Sequence, residues 1–269
     1  MSTFFFAKEK EIPLYDKTIE LIGPGYRDLH KMMLEIAAAS LKENKHRKNG
    51  RLIGLDIGSG TGAEAISLMR KIDNLDLIAL DVSKAMHDEF RRNATKARIP
   101  QERFSMLTSD ILAPETSENI KAEAKRAFND DLPLDIVISG FTLHHLTDSE
   151  RLDVFNMVHG LLPPGGVFLL GDLFNFADES PWLTENIFTW EVAWFSANLD
   201  RAALKAEQAG DTAQGQELRA LKKKWVKHYK SENNLGGMTN QLTQLKTAGF
   251  SQAGSPFRNW QVGLIAARK

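Results

Sequence analysis

A doubly wound α/β fold is what this sequence predicts, and three observations carry the prediction. From Arg51 onward, short apolar runs alternate with segments of helical period. The runs are apolar at successive positions, as in strands buried on both faces, which goes with parallel pairing and crossover helices. A glycine-rich stretch, LDIGSGTGAEA at residues 55–65, joins the first run to the first helix.

In chain order, a turn at Gly23-Pro24-Gly25 precedes Leu29, Met32, Met33, Ile36 and Ala37 at helical spacing, which predicts a helix from Tyr26 to Lys42. The polar run KENKHRKNG that follows reads as a solvated loop rather than a nucleic-acid patch. Strands are expected at Leu52–Ile57, Leu75–Leu80, Phe104–Leu107, Leu134–Ser139 and Val167–Gly171. Helices are expected between them at Thr61–Lys71, Lys84–Ala97, Ser117–Phe128 and Asp148–Leu161. Residues 180–234 break this rhythm. Rich in Trp and then in Ala, Lys and Glu, they predict an inserted helical cap of two or more helices with Gly210 and Gly215 between them. A helix Met238–Ala248, a Gly249 stop and strands Gln252–Asn259 and Gln261–Ala267 close the sequence. The last two are too near each other along the chain to pair otherwise than antiparallel. The expected organisation is an N-terminal helical segment over the ligand site (1–50), a core (51–179 and 235–269) and the cap (180–234).

Of 269 residues, 42% are hydrophobic, enough for a substantial core. Thirty-four basic side chains against thirty-five acidic leave a charge of -1, so no global field favours nucleic acid or an anionic membrane. Cys is absent, which removes disulfides, thiolate metal sites and cysteine nucleophiles and suits a cytoplasmic setting. No stretch reaches the roughly 18 apolar residues of a membrane span, and the aromatic run near the start is too short for a signal-peptide core. A soluble, cytoplasmic protein without a metal site is the expectation.

A glycine-rich turn from a strand into a helix lets backbone N–H groups and the helix N-terminus approach a small polar ligand. The spacing alone is ambiguous, because Gly58, Gly60 and Ala63 also satisfy a loose dinucleotide pattern. Asp56 helps to decide: a carboxylate two residues before the first glycine would repel a pyrophosphate but could hold an ammonium group, directly or through water. That favours an amino-acid-bearing cofactor over an unliganded tight turn. Asp81, about twenty residues beyond the turn, is placed to accept both hydroxyls of a ribose, although it could instead cap the helix starting at Ser83 or Lys84. Asp110, in TSDIL, could meet an adenine amino group with Ile111 packed on the ring. Each acid terminates a separate predicted strand on one edge of the sheet.

From Arg51 to about Phe174 the pieces LDIGSGTG, ALDVS, SD, DIVISGFTLHHL and LLPPGGVFLLGD resemble, in order, the class I S-adenosylmethionine-dependent methyltransferases. LKTAGFSQAGSPFRNWQVGLIAARK resembles that family's last helix and reversed hairpin. The resemblance implies a Rossmann-like seven-stranded sheet of order 3-2-1-4-5-7-6, last strand antiparallel, with S-adenosyl-L-methionine as cofactor. It also implies Gly58, Ser59 and Gly60 at the methionine part, Asp81 and Val82 at the ribose, Asp110 and Ile111 at the adenine, and Ser139 or Gly140 on the sulfonium side. GPGYRDL, GFTLHHL and LKTAGF are similar to segments of carboxy-S-adenosylmethionine synthases, which serve transfer-RNA wobble modification, and would place Tyr26 beside the cofactor. Those enzymes pair an arginine with the cofactor carboxylate. The comparable stretch here, KKKWVKHYK, has Lys and His, which lack the bidentate grip of a guanidinium. An ordinary methyltransferase is therefore preferred, with the synthase and a non-catalytic cofactor-binding protein as alternatives.

Methyl transfer requires mainly that a nucleophile be aligned and water excluded. A base near the fourth strand would help if the nucleophile carries a proton; His144 and His145 stand there, although LHHL could simply form a capping turn. Asp172, at the end of the fifth strand, is the other candidate, or a loop cap. Trp182, Phe188, Trp190, Trp194 and Phe195 form a stripe that reads as packing between cap and sheet, or as a lid over an apolar substrate. The expected partner is a small-molecule acceptor, with no clear nucleic-acid patch and no membrane; the exposed face of the cap could pair two copies in a homodimer.

Overall fold

The computed structural model describes residues 12–42, 50–129, 133–231 and 234–269; residues 43–49 of the expected polar loop lie outside them. Seven strands, β1 (Leu52–Ile57), β2 (Leu75–Asp81), β3 (Phe104–Thr108), β4 (Ile136–Gly140), β5 (Val167–Leu173), β6 (Gln252–Asn259) and β7 (Val262–Arg268), form one sheet of order β3-β2-β1-β4-β5-β7-β6. The pairs among β1 to β5 are parallel, while β7 runs antiparallel to both β5 and β6. This is the expected class, order and reversed strand.

Alternation along the buried strands feeds two cores. Ile53, Leu55 and Ile57 of β1 face α5 (Thr116–Phe128), α6 (Asp148–Leu161) and α9 (Met238–Thr247) through Ile120, Phe155 and Leu245. The opposite face receives α2 (Tyr26–Lys42), α3 (Ala63–Lys71) and α4 (Lys84–Lys96) through Leu29, Met33, Leu68 and Phe90. A third core lies in the cap, where α1 (Ile12–Ile22) packs Ile12, Ile19 and Ile22 with Phe195 and Leu199 of α7 (Pro181–Gln208) and with Leu221 and Trp225 of α8 (Thr212–Ser231). α1 is not among the expected elements: it buries its apolar side against a distant part of the chain.

Three further expectations need correction. Gly215 does not separate the cap helices; it lies within α8, packed so closely on Glu207 of α7 that a side chain would collide, and Gly210, at φ +88, makes the turn. β5 continues to Leu173, which puts Asp172 inside the strand. Leu134 precedes β4, because Asp135 is spent on β1: its N–H donates to the Ile53 carbonyl at 2.7 Å and its carboxylate accepts the Ile53 N–H at 2.8 Å.

The two ends of the insertion meet at the sheet. Asn175, just before it, donates its N–H to the Gly236 carbonyl at 3.1 Å and its side-chain amide to the Leu235 carbonyl, and it bridges Gly237 in parallel fashion.

Candidate functional site

The carboxyl ends of β1, β2 and β4, with the loop leaving β3, form one wall of a cavity of about 740 Å³. Open α/β sheets bind ligands in this position. The opposite wall comes from Ile19 and Ile22 of α1 and from Trp225, His228 and Tyr229 of α8.

After β1 the Gly58 and Ser59 N–H groups both donate to the Leu80 carbonyl, at 2.8 and 2.9 Å, which ties the glycine loop to β2. Gly58 sits at φ +69 against Thr142, whose side chain would overlap any Cβ there. Gly60, at φ +49, has nothing within 3.9 Å of the place a Cβ would take, so bare backbone faces open space. Gly58 and Gly60 line the cavity; Ser59 is buried, with no partner for its hydroxyl.

Asp81 holds the loop from the other side. One carboxylate oxygen accepts the Gly60 N–H at 2.9 Å and the other the Ser83 N–H at 2.8 Å. Ser83, not Asp81, caps α4, accepting the Met86 N–H at 3.3 Å. Each Asp81 oxygen keeps lone-pair capacity for a further donor on the cavity side. Burial pushes its carboxyl above the usual range, while the Ser83 and Gly60 N–H groups pull it back. Val82, Asp110 and Ile111 stand on the same wall, with Asp110 accepting the Leu112 N–H at 3.0 Å.

Beneath the loop Asp56 is fully buried, and neither of its oxygens has a hydrogen-bond partner. Burial, then the Glu64 and Asp81 charges, push its carboxyl well above the ordinary range. Glu64 stands opposite His30, with Oε1 and Nε2 3.0 Å apart. Burial works against both charges, yet the pair outweighs it: the imidazole is pushed up and the Glu64 carboxyl down. The two neighbouring acids are thus shifted in opposite directions, and a cation arriving beside Asp56 would favour its charged form. The Glu64 carboxylate fills the space where a side chain at Gly140 would go. Tyr26 packs on His30 and on Phe141, with ring centroids 4.2 and 5.4 Å away. Gly140 lines the cavity, whereas Ser139 is buried and donates its hydroxyl to the Ile57 carbonyl at 3.0 Å.

The turn after β4 also presents both His144 and His145 to the cavity. Asp172 holds the first: its Oδ1 lies 2.6 Å from His144 Nδ1 and its Oδ2 accepts the His144 N–H at 3.0 Å. The turn is braced from outside by buried Arg151, which donates to the Leu143, Leu146 and Asn234 carbonyls. Asn234 in turn donates its N–H to the His144 carbonyl at 2.8 Å and its amide to the His145 carbonyl at 2.9 Å. His144 is thus a positioned imidazole with Nε2 left over.

The aromatic stripe divides. Phe195 is buried in the cap core and Trp194 packs on Trp260 between β6 and β7, ring centroids 6.0 Å apart, as cap–sheet packing requires. Trp182 and Trp190, by contrast, are 61% and 42% exposed and meet edge-on, away from the sheet and the cavity lining. The cap instead contributes Trp225 and His228, from the lysine-rich helix. Lys223, Lys224 and Lys227 of that helix are exposed, as a solvated face requires. His30, Glu64, Thr142, Arg151 and Trp225 were not singled out from sequence. His30 alone had a local signal, four residues after Tyr26 on the same helix face.

Fold and cavity together define a doubly wound nucleotide-cofactor protein with a reversed seventh strand. Residues 55–168 match the methyltransferase domain family. The chain is 29% identical over 175 residues to a carboxy-S-adenosyl-L-methionine synthase of Yersinia enterocolitica, the match covering 64% of this chain and 56% of that protein, little more than half its length. An O-methyltransferase family protein from Burkholderia thailandensis superposes with a TM-score of 0.53 at 14% identity, over 89% of this chain and 58% of the other. An O-methyltransferase family 2 protein from Planctomyces limnophilus, solved with apigenin, does so with a TM-score of 0.53 at 14% identity, over 90% and 61%. Residues 55–168 thus carry a methyltransferase domain, set on the seven-stranded fold of the class I S-adenosylmethionine-dependent methyltransferases. Among the described residues no helix is long and apolar enough to cross a membrane.

Proposed function

We propose that this chain transfers a methyl group from S-adenosyl-L-methionine to a small-molecule acceptor. The observation that carries the reading is a single cavity lined by open glycine backbone, by Asp81 and by an Asp172-held imidazole. Bound there, S-adenosyl-L-methionine supplies a methyl group already activated by its sulfonium charge.

The residues fit that group. Asp56, buried without partners, would answer its ammonium through the glycine loop; Gly58, Ser59 and Gly60 would lie along the methionine part, with Tyr26, Ser139 and Gly140 on the sulfonium side. Asp81 and Val82 would face the ribose, and Asp110 and Ile111 the adenine. Ile19, Ile22, Met86 and Trp225 exclude water with apolar surface. His144 takes the acceptor proton at Nε2, while Asp172 holds its tautomer and stabilises the imidazolium that forms; His145 stands beside it. A cleft of this volume suits a small molecule. The cysteine-free composition supports a cytoplasmic setting.

The sequence similarity to the synthase supports a second reading, modification of the cofactor itself. Against it stands the cavity wall, which among the described residues contains neither Arg nor Lys to grip a carboxylate. Mass spectrometry separates the readings. Incubation with labelled S-adenosyl-L-methionine and a broad metabolite extract should give a methylated product, with kcat lowered about 10²–10⁴-fold in His144→Gln. A carboxylated sulfonium formed in the presence of prephenate would favour the synthase instead. Cofactor binding without either product would leave a non-catalytic binding protein.

A further inference from the structure

We propose that His144, His145 and His228 together bind one divalent transition-metal ion of the zinc type at the acceptor end of the cavity. The three imidazoles each offer a nitrogen, and these atoms all lie within 4.8 Å of one another. They come from distant parts of the chain: two from the turn after β4 and one from the cap helix α8. Ring centroids are 4.0 Å apart for His144 and His145 and 5.7 Å for His145 and His228. A tetrahedral ion with bonds of about 2.0–2.1 Å brings its ligand nitrogens to about 3.3 Å from one another. Small rotations of these side chains would reach that spacing.

Three features favour an ion over a chance meeting of imidazoles. Asp172 engages His144 Nδ1 and is itself held, its Oδ1 accepting the Leu173 N–H at 2.9 Å. This carboxylate–imidazole pairing fixes the tautomer and ring orientation of metal-bound histidines and leaves Nε2 as the donor atom. Arg151 and Asn234 hold the turn's carbonyls, so both of its imidazoles leave a braced backbone. Among the described residues the cavity lining contributes the Glu150 carboxylate and no ammonium or guanidinium group, and the Arg151 guanidinium behind the turn is paired with the Asp148 carboxylate.

A donor set of imidazoles without thiolate suits zinc and its neighbours better than magnesium or calcium, which take oxygen ligands. Three protein donors leave a fourth position turned into the cavity, the arrangement of sites that activate a water or a substrate oxygen. The metal site stands apart from the methyl-transfer reading, but its role in catalysis rests on that reading. With the ion bound, the His144 Nε2 lone pair goes to the metal, which then replaces His144 as the group that makes the acceptor oxygen nucleophilic. An acceptor hydroxyl at the open position then loses its proton to solvent because the ion stabilises the oxyanion. This narrows the acceptor class to compounds presenting a hydroxyl to the ion. It also ties the cap, through His228, to the core.

The test uses tag-free full-length protein, stripped with a chelator and titrated with Zn²⁺ by calorimetry, with Co²⁺ absorption reporting tetrahedral coordination. One equivalent should bind. His228→Ala should weaken binding at least about tenfold, Asp172→Asn about 10–100-fold, and His159→Ala, a histidine on α6 away from the cavity, should leave it unchanged. Circular dichroism would check that each variant is folded. Absence of stoichiometric binding, or the same affinity in folded His228→Ala, would overturn the proposal. Because the readout is metal binding, a failure of methyl transfer leaves its outcome intact.

Discussion

Replacing Glu191 by Gln probes how the cap is fastened over the cavity. Glu191, on α7, is almost fully buried; it accepts the Gln261 N–H at 2.8 Å and the hydroxyl of Tyr229, a residue of the cavity wall. Burial pushes its pKa from 4.5 to about 7, with the Tyr229 and Gln261 hydrogen bonds pulling the other way. An acid whose folded pKa lies above its unfolded value holds its proton more tightly in the folded protein. Its contribution is therefore full below the unfolded value of 4.5 and is lost as pH rises to about 7. At about 1.4 kcal/mol per pH unit, that interval corresponds to about 3 kcal/mol. Glutamine keeps an acceptor for the Gln261 N–H and cannot ionise. Urea unfolding of both proteins from about pH 5 to about pH 8 cancels the titrations they share. Glu191→Gln should gain on the native protein as pH rises, by up to about 3 kcal/mol, and level off above about pH 7. A stability difference that does not change with pH would refute the reasoning.

Two further substitutions address the cofactor end. Asp81→Asn should weaken S-adenosyl-L-methionine binding by about 1.5–3 kcal/mol in calorimetry, because the amide loses charge and one acceptor while still meeting the loop; unchanged affinity would remove Asp81 from the ribose site. Gly58→Ala forces a methyl group into Thr142 at φ +69. It should lower stability by more than about 1 kcal/mol and weaken the cofactor further, and Gly58→Ala with Thr142→Gly, which removes the overlapped side chain, should recover only part of the stability, since the dihedral strain remains.

Much of the sheet was legible because its signal is local. β1 and β2 are apolar at nearly every position, and the match from Arg51 to about Phe174 carries the strand order with it. Asp81 could be assigned to a loop tip from distance along the sequence alone. What escaped was contact between distant segments. Isolated α1 resembles any short amphipathic run until α7 and α8 supply its core. His228 stands in a lysine-rich helix whose pattern is that of a solvated face, and nothing local aims it at His145. Trp182 and Trp190 mislead for the converse reason: helical spacing shows that side chains share a face, not that the whole face is covered. Gly215 was read as a break because a glycine in a helix is usually costly; here close packing on Glu207 explains it.

The hydrogen bonds that join Asn175 to Leu235 and Gly236 give the α7–α8 hairpin a single doorway in the sheet. The described residues from Phe176 to Asn234 depart and return at neighbouring points, so that hairpin could change length without moving a strand.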